Sequence, residues 1–295
     1  MKILICSDGS ERSKKAISCA AMIATATKAE TTIFGITESH HDEAKLKEIL
    51  LEESRELEAD GVRVEIATKS GDPVTEIVQW TRDRPYDLVV IGAERRGTQE
   101  FFLPSAKAYS IAEAISPPIL IVPRQPPGLK RILICSGGGR YIENAVKFAT
   151  RIARDLAAEI TLLNVVPEPP AMHGTLYRRQ NDVEALLNSD SALARNLRNE
   201  KKMIADAGVP VTIRIGHGIV IDQILVEIAR GDHDLVVTGS WAIQDRWRTY
   251  AIGNITREIV NRTDRPVLVI RSDKKPRSLA NRLRTMVTKF GSKPD

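Results

Sequence analysis

The chain has 295 residues, 42% apolar and 27% charged, the composition of a soluble globular protein long enough for two ordinary domains. No apolar run approaches the roughly 18 to 20 residues that span a bilayer, and Met1-Lys2 lead directly into a strand pattern rather than a signal segment, so a cytoplasmic location is expected. The formal net charge of +5 resides in residues 272–295, where seven Lys or Arg stand against two Asp; residues 1–271 are neutral, which argues against a nucleic-acid-binding body.

The chain opens on Lys2-Ile3-Leu4-Ile5-Cys6-Ser7-Asp8-Gly9-Ser10, a run of strand formers that empties into a Gly/Ser turn. Ala16, Cys19, Ala20, Ile23 and Ala24 then repeat at i, i+3, i+4, i+7 and i+8, which predicts a helix with one apolar face. A second strand follows at Ala29-Glu30-Thr31-Thr32-Ile33-Phe34, a third near Gly61-Val62-Arg63-Val64, and a short amphipathic helix over residues 74–82. Asp87-Leu88-Val89-Val90-Ile91-Gly92, another helix and Ile119-Leu120-Ile121-Val122 complete a β-α-β-α-β-α-β-α-β pattern. Such alternation requires right-handed crossovers and a parallel sheet covered on both faces.

Everything then happens again. Arg131-Ile132-Leu133-Ile134-Cys135-Ser136-Gly137-Gly138-Gly139 repeats the first strand, and adding 129 carries Ala16 to Ala145 and Ile23 to Ile152. Beyond the second strand the offset becomes 147, which brings Gly61 to Gly208, Gly71 to Gly218 and Asp87-Leu88 to Asp234-Leu235. The second half has therefore gained 18 residues around 167–187, including His173, Tyr177, Arg178 and Arg179. This insertion leaves from the C-terminal end of a strand, the edge on which open α/β sheets bind ligands, or it is simply a longer solvated loop. The expected domains are 1–124 and 130–271, joined by a linker at 125–129 too short to let them wander, with a tail at 272–295.

Three cysteines are few, and Cys6 and Cys135 occupy the same place in the repeated first strand, so buried thiols are expected rather than a disulfide or redox site. His40, His41, His173, His217 and His233 share no ligand spacing and read as solvated loop residues rather than a metal site.

The strand-turn pattern Ile-Leu-Ile-Cys-Ser-Asp-Gly-Ser at residues 3–10, the Asp-Leu-Val-Val-Ile-Gly segment ending at Gly92 and the closing Pro-Ile-Leu-Ile-Val-Pro resemble the universal stress protein family in tandem form. The resemblance implies two Rossmann-like α/β domains, each a five-stranded parallel sheet of order 3-2-1-4-5, paired through their last strands as a covalent pseudo-dimer. It also implies ATP or AMP, with Mg accompanying ATP, at the break between strands one and four. The family's motif is Gly-x2-Gly-x9-Gly-[Ser/Thr] after strand four, preceded by an Asp after strand one. Glycines let main-chain N–H groups approach phosphate, and the last pair opens a helix whose positive end faces the anion.

On that motif the halves differ. In the first, Asp8 and Gly92 fit, Arg95 stands at the second glycine, and Ser105-Ala106 replace Gly-Ser; Arg95, Arg96 or Gly97 could still supply phosphate contacts. In the second, Gly239, Gly253 and Asn254 fit with one extra residue, Ala242 replaces the second glycine, and Gly137 replaces the Asp. Asn254 is expected to cap its helix as Ser would. The nucleotide-binding candidates are thus Asp8, Gly92, Arg95, Gly97, Ser105, Ser136, Gly137, Gly239, Gly253 and Asn254, with the second half the better place for an anion.

Three functions follow from these residues. The first is a non-catalytic stress or signalling module that binds an adenine nucleotide weakly or in one half. The second is an adaptor whose pockets hold no nucleotide. The third is an ATP-using enzyme, because Ser136-Gly137-Gly138-Gly139 resembles the start of a pyrophosphatase loop, although Arg140-Tyr141 follow where Asp-Ser would be needed. No residue can be named as a hydrolytic base. The tail places Leu279, Leu283, Met286, Val287 and Phe290 on one face of a basic helix. That face could pack on the body, on a second subunit as a homodimer, on a protein partner or on an anionic membrane surface.

Overall fold

The computed structural model describes residues 1–93, 106–137, 142–166, 183–242, 250–251 and 253–272. The first half runs β1 (Lys2–Ser7), α1 (Glu11–Thr27), β2 (Glu30–Thr37), α2 (Glu43–Ala59), β3 (Arg63–Ser70), α3 (Pro73–Asp83), β4 (Leu88–Gly92), α4 (Ala106–Ala114) and β5 (Ile119–Val122). The second runs β6 (Arg131–Ser136), α5 (Glu143–Asp155), β7 (Glu159–Val166), α6 (Val183–Leu187), α7 (Ala192–Asp206), β8 (Val211–His217), α8 (Val220–Gly231), β9 (Leu235–Ala242), β10 (Tyr250–Ala251), α9 (Asn254–Arg262) and β11 (Val267–Ser272). The predicted C-terminal helix, and His173, Tyr177, Arg178 and Arg179 of the insertion, lie outside the described residues.

Helix starts follow the local chemistry. Asp72 caps α3 by accepting from Thr75 N at 2.8 Å, with Pro73 behind it where its missing N–H costs nothing. Ser191 caps α7 by accepting from Ala194 N at 3.0 Å.

The strands form one sheet in the order β3-β2-β1-β4-β5-β11-β9-β6-β7-β8, so each half has the 3-2-1-4-5 order and the halves meet at β5 and β11. Pairing along this order is parallel within each half and antiparallel across the junction, where Val267 faces Ile121 and Val269 faces Ile119. Side chains alternate between two cores as a pleated strand requires. Ile3, Ile5, Ile132 and Ile134 turn toward α1, α2, α5 and α7, while Leu4, Cys6, Ile119, Ile121, Val267 and Val269 turn toward α3, α4, α8 and α9.

The junction is also tied through α4 and α9. Tyr109 donates to Asn261 Oδ1, and Arg257 donates to Glu113 Oε1 at 3.0 Å. Tyr109 and Arg257 occupy equivalent places in the repeat, as do Glu113 and Asn261, so one pseudo-two-fold contact is made twice with different chemistry.

All three cysteines are free. Cys6 and Cys19 are buried and Cys135 is partly exposed, a departure from the expectation for its strand position; burial holds the Cys19 and Cys135 thiols at about 12. Two histidines are not the solvated loop residues expected. His217 ends β8, and His233 is 3% exposed with Nε2 3.3 Å from Glu227 Oε1, because the close of α8 folds over it.

The repeat explains another pair. Asp234 accepts from Lys130 N and Arg131 N, each at 2.9 Å, and Asp87 accepts from Lys2 N at 2.8 Å. Both carboxylates satisfy the first N–H groups of a central strand, which the neighbouring β-ladders leave open. Asp234 is 3% exposed, so Asp234→Ala strands two donors and is expected to cost about 2 kcal/mol in urea unfolding; the more exposed Asp87→Ala should cost less.

Candidate functional site

The candidate sites lie where β1 and β4, or β6 and β9, part at their C-terminal ends. In the first half the turn after β1 is built around Asp8. Its carboxylate accepts from Ser10 N at 3.1 Å, from the Ser10 hydroxyl, and from the Ser13 hydroxyl at 2.7 Å, and it pairs with Arg12 at 2.9 Å. Partial burial would raise its pKa, but the bonds from Ser10 and Ser13 and the Arg12 charge outweigh it and hold the group at about 2. Asp8 is therefore ionised and occupied by its own turn. Gly9 takes a left-handed φ of 72°, where a side chain would be strained.

Gly92 has a packing reason to be glycine, since a Cβ there would stand 2.6 Å from the Arg12 carbonyl oxygen. β4 thus ends against the backbone of α1's first turn. Arg95, Gly97 and Ser105 lie outside the described residues.

The second half is arranged differently. β9 continues past Gly239 to Ala242 and pairs with β10, Tyr250 opposite Ala242 and Ala251 opposite Trp241. The expected turn after Gly239 is a strand, because β11 also runs on to Ser272 and supplies hydrogen-bond partners along this length. Among the described residues a Cβ on Gly239 would meet only Ile142 Cδ1 at 3.2 Å, so this glycine is under less pressure from them than Gly92.

Asn254 does not cap its helix. Gly253 holds the N-cap position with extended backbone, φ −59° and ψ 153°, and no side chain among the described residues caps α9. Asn254 stands one place too far along, at the first helical position, where its side chain does not accept from the first turn. What places this helix is Thr256, whose hydroxyl lies 3.0 Å from Thr238 Oγ1 and donates to the Gly239 carbonyl at 3.3 Å. The uncapped N-terminus of α9 is thereby held to Gly239 on β9, the strand that pairs with β6. Arg271, 8% exposed, sits in register with Ser240 on the adjacent strand.

Under the Ser136-Gly137 turn lies a polar cluster that the family motif does not contain. Ser136 Oγ donates to Glu200 Oε2 at 2.9 Å, and Asn164 Nδ2 donates to the Ser136 carbonyl at 2.8 Å. The exposures are 4%, 6% and 3% for Ser136, Glu200 and Asn164, which come from β6, α7 and β7. Burial pushes Glu200 up to about 7, with the Ser136 hydrogen bond opposing it. A signal for Glu200 was present: it interrupts the apolar stripe of Ala194, Leu197 and Ile204, and it repeats Glu53 at the 147 offset. Glu53 is likewise raised to about 7 by burial, against Lys14 and with Glu11 and Asp8 adding to the rise.

A concavity of about 630 Å³ at the opposite, N-terminal edge is lined by Pro127, Lys130, Arg131, Glu159 and Asp234 and includes none of the candidate residues. Its basic groups are already engaged, Arg131 with Asp232 at 2.6 Å and Lys130 with the Leu156 carbonyl at 2.7 Å, so the chemistry stays at the C-terminal edge. Among the described residues no three His, Cys, Asp or Glu side chains gather as a metal site.

Two measurements check this geometry. Gly92→Ala forces a Cβ onto backbone and is expected to destabilise the protein by about 2 kcal/mol or more, whereas Gly239→Ala displaces only a methyl end and should cost less than half of that. Between about pH 4.5 and 7 the folded protein keeps the Glu200 proton that the unfolded chain has lost, so stability falls as pH rises through this window. Glu200→Gln should remove up to about 3 kcal/mol of that fall between pH 4.5 and 8, read by urea unfolding across the range.

Comparison with known proteins places this architecture. The chain is 25% identical over 146 residues to a universal stress protein of Methanocaldococcus jannaschii, covering 50% of this chain and 84% of that protein. A universal stress protein structure from Archaeoglobus fulgidus superposes with a TM-score of 0.72 at 17% identity, covering 92% of this chain and 98% of the other. A putative universal stress protein of Pseudomonas aeruginosa superposes at 0.66 with 16% identity, covering 97% of each. These two share the fold over both halves of the chain. The model of the universal stress protein family matches residues 1–123 and again 128–271, and the chain belongs to that family.

Proposed function

We propose that the protein is a non-catalytic, cytoplasmic stress-response module that binds an adenine nucleotide, ATP or AMP, through its second half. The observation that carries this reading is the tethering of α9: Thr256 fixes its uncapped first turn to Gly239 on β9, the strand paired with β6, whose own following turn has no side chain at position 137. The N–H groups of an uncapped helix N-terminus favour an anion by charge and by hydrogen bonding. The buried Arg271 on the neighbouring strand adds positive charge on the same edge. The family supplies the ligand class, and these residues supply the reason to choose the second half over the first.

A second reading, the nucleotide-free adaptor, is favoured by Asp8, whose carboxylate is engaged by Ser10, Arg12 and Ser13 within its own turn. Applied to the whole chain, it makes both pockets structural. The enzyme reading has no comparable support, and Gly138 to Tyr141, which would carry it, lie outside the described residues. The basic tail is proposed to contact an acidic partner or anionic membrane. No described helix is long and apolar enough to cross a membrane.

Mass spectrometry of the denatured purified protein and calorimetry with ATP and AMP test the nucleotide reading. A co-purified nucleotide, or millimolar or tighter binding that is lost in Gly253→Trp and retained in Asp8→Ala, is the expected result. No heat from either ligand at millimolar concentration favours the adaptor. Liposome sedimentation with anionic lipid should show the full chain bound and a chain ending at Arg271 released.

A further inference from the structure

The second half holds a carboxylate beneath its turn where the first half holds one within it. Asp8 is ionised and saturated by Ser10, Ser13 and Arg12, and the Ser7 hydroxyl accepts from Gly9 N at 3.1 Å. At the equivalent place in the second half Gly137 has no side chain, and the Ser136 hydroxyl turns inward to Glu200. Gly35 explains why the first half is built otherwise: a Cβ there would stand 2.5 Å from Leu50 Cδ1, so the apolar side chains of α2 fill the space. Its counterpart is Asn164, whose amide bonds the Ser136 carbonyl and whose Oδ1 is buried without a hydrogen-bond partner. Three elements thus meet in a buried polar cluster directly below the Ser136-Gly137 turn.

We propose that Glu200 is a positioning residue for the second pocket, acting through Ser136: its neutral form admits an anion at the Ser136-Gly137 turn and its ionised form disfavours one. The proposal rests on the nucleotide reading of that pocket. Its physical basis is the lack of compensation around a buried charge. The elements packed on α7 carry Glu143, Lys147, Arg151, Arg154 and Asp155 on α5, Glu184 on α6, and Arg214 and His217 on β8; α7 itself also carries Arg195, Arg198, Lys201, Lys202 and Asp206, and Arg131 and Glu159 begin β6 and β7 at the far edge. Glu143 and Lys147 are paired with each other at 2.8 Å. Burial and the Ser136 hydroxyl are what act on Glu200, so ionisation places an unneutralised negative charge beside the turn. In the first half Glu53, the counterpart of Glu200, is also raised to about 7, but its carboxyl makes no hydrogen bond to the turn, where Ser7 Oγ accepts from Gly9 N and Asp8 pairs with Arg12, so the coupling through a turn serine belongs to the second half.

The test is the dissociation constant for ATP, measured by calorimetry from pH 5.5 to 8.5 on the full chain and on Glu200→Gln. The ligand's own titration cancels in the ratio of the two constants. Wild type should weaken relative to the variant by roughly fivefold between pH 6 and 8, the size expected for one like charge across a partly screened gap. A ratio that stays flat overturns the proposal and leaves the nucleotide reading standing. No ATP binding by wild type at any pH overturns the nucleotide reading and the proposal with it. If Glu200→Gln does not fold, Ser136→Ala removes the hydrogen bond that lowers Glu200, and it must move the midpoint of the pH dependence of ATP affinity to higher pH; an unchanged midpoint overturns the proposal.

Discussion

The structure depends on the antiparallel pairing of β5 with β11. Each half, taken alone, would expose an apolar edge segment, with Ile119, Leu120, Ile121 and Val122 on one side and Val267, Leu268 and Val269 on the other, all at most 1% exposed in the joined chain. An unpaired apolar edge exposes main-chain donors and acceptors together with hydrophobic surface, which is the condition for uncontrolled association. Pairing the two edges removes both liabilities and makes one sheet of two domains. The residues that join α4 to α9 then complete the junction, and because Tyr109–Asn261 and Glu113–Arg257 use different chemistry, the junction distinguishes one half from the other.

That junction also fixes where function can sit. Within each half the parallel order puts the C-terminal ends of the first and fourth strands side by side, at the point where the chain's crossovers change direction. The halves have kept this frame and altered what lines it. In the first, a saturated carboxylate holds the β1 turn closed on itself. In the second, the turn carboxylate is replaced by glycine, the helix carboxylate Glu200 that both halves share is bonded to Ser136, and α9 is left uncapped. The same backbone therefore presents one turn that is satisfied internally and, in the other half, a helix end beside β9 whose main-chain donors have no side-chain cap.

Much of this was legible from residues alone. The offsets of 129 and 147 aligned the repeat through its fourth strand, with one residue more beyond it, and the pairing of last strands followed from the family resemblance. Gly92 was correctly placed at a strand end, but its reason, the approach of β4 to the Arg12 backbone, is a contact between elements 80 residues apart. Gly239 was expected before a turn and instead lies inside β9, because whether a strand continues depends on whether a neighbour runs alongside it. Asn254 was expected to cap α9, and the one-residue difference that puts Gly253 there instead is below what helix-start signals resolve.

Glu200 marks the boundary between the two kinds of information. Its place on the apolar stripe of α7 and its repetition of Glu53 could be read from periodicity, yet nothing in the spacing says that one is seated under a serine and the other beside Asp8, Glu11 and Lys14. The sequence by itself determined the repeat, the alternation of strands and helices and the parallel sheet within each half, because these follow from short-range patterns of apolar and turn residues. Only the tertiary structure decided which carboxylates are paired, buried or spent, because desolvation and hydrogen bonding are set by side chains that arrive from distant parts of the chain.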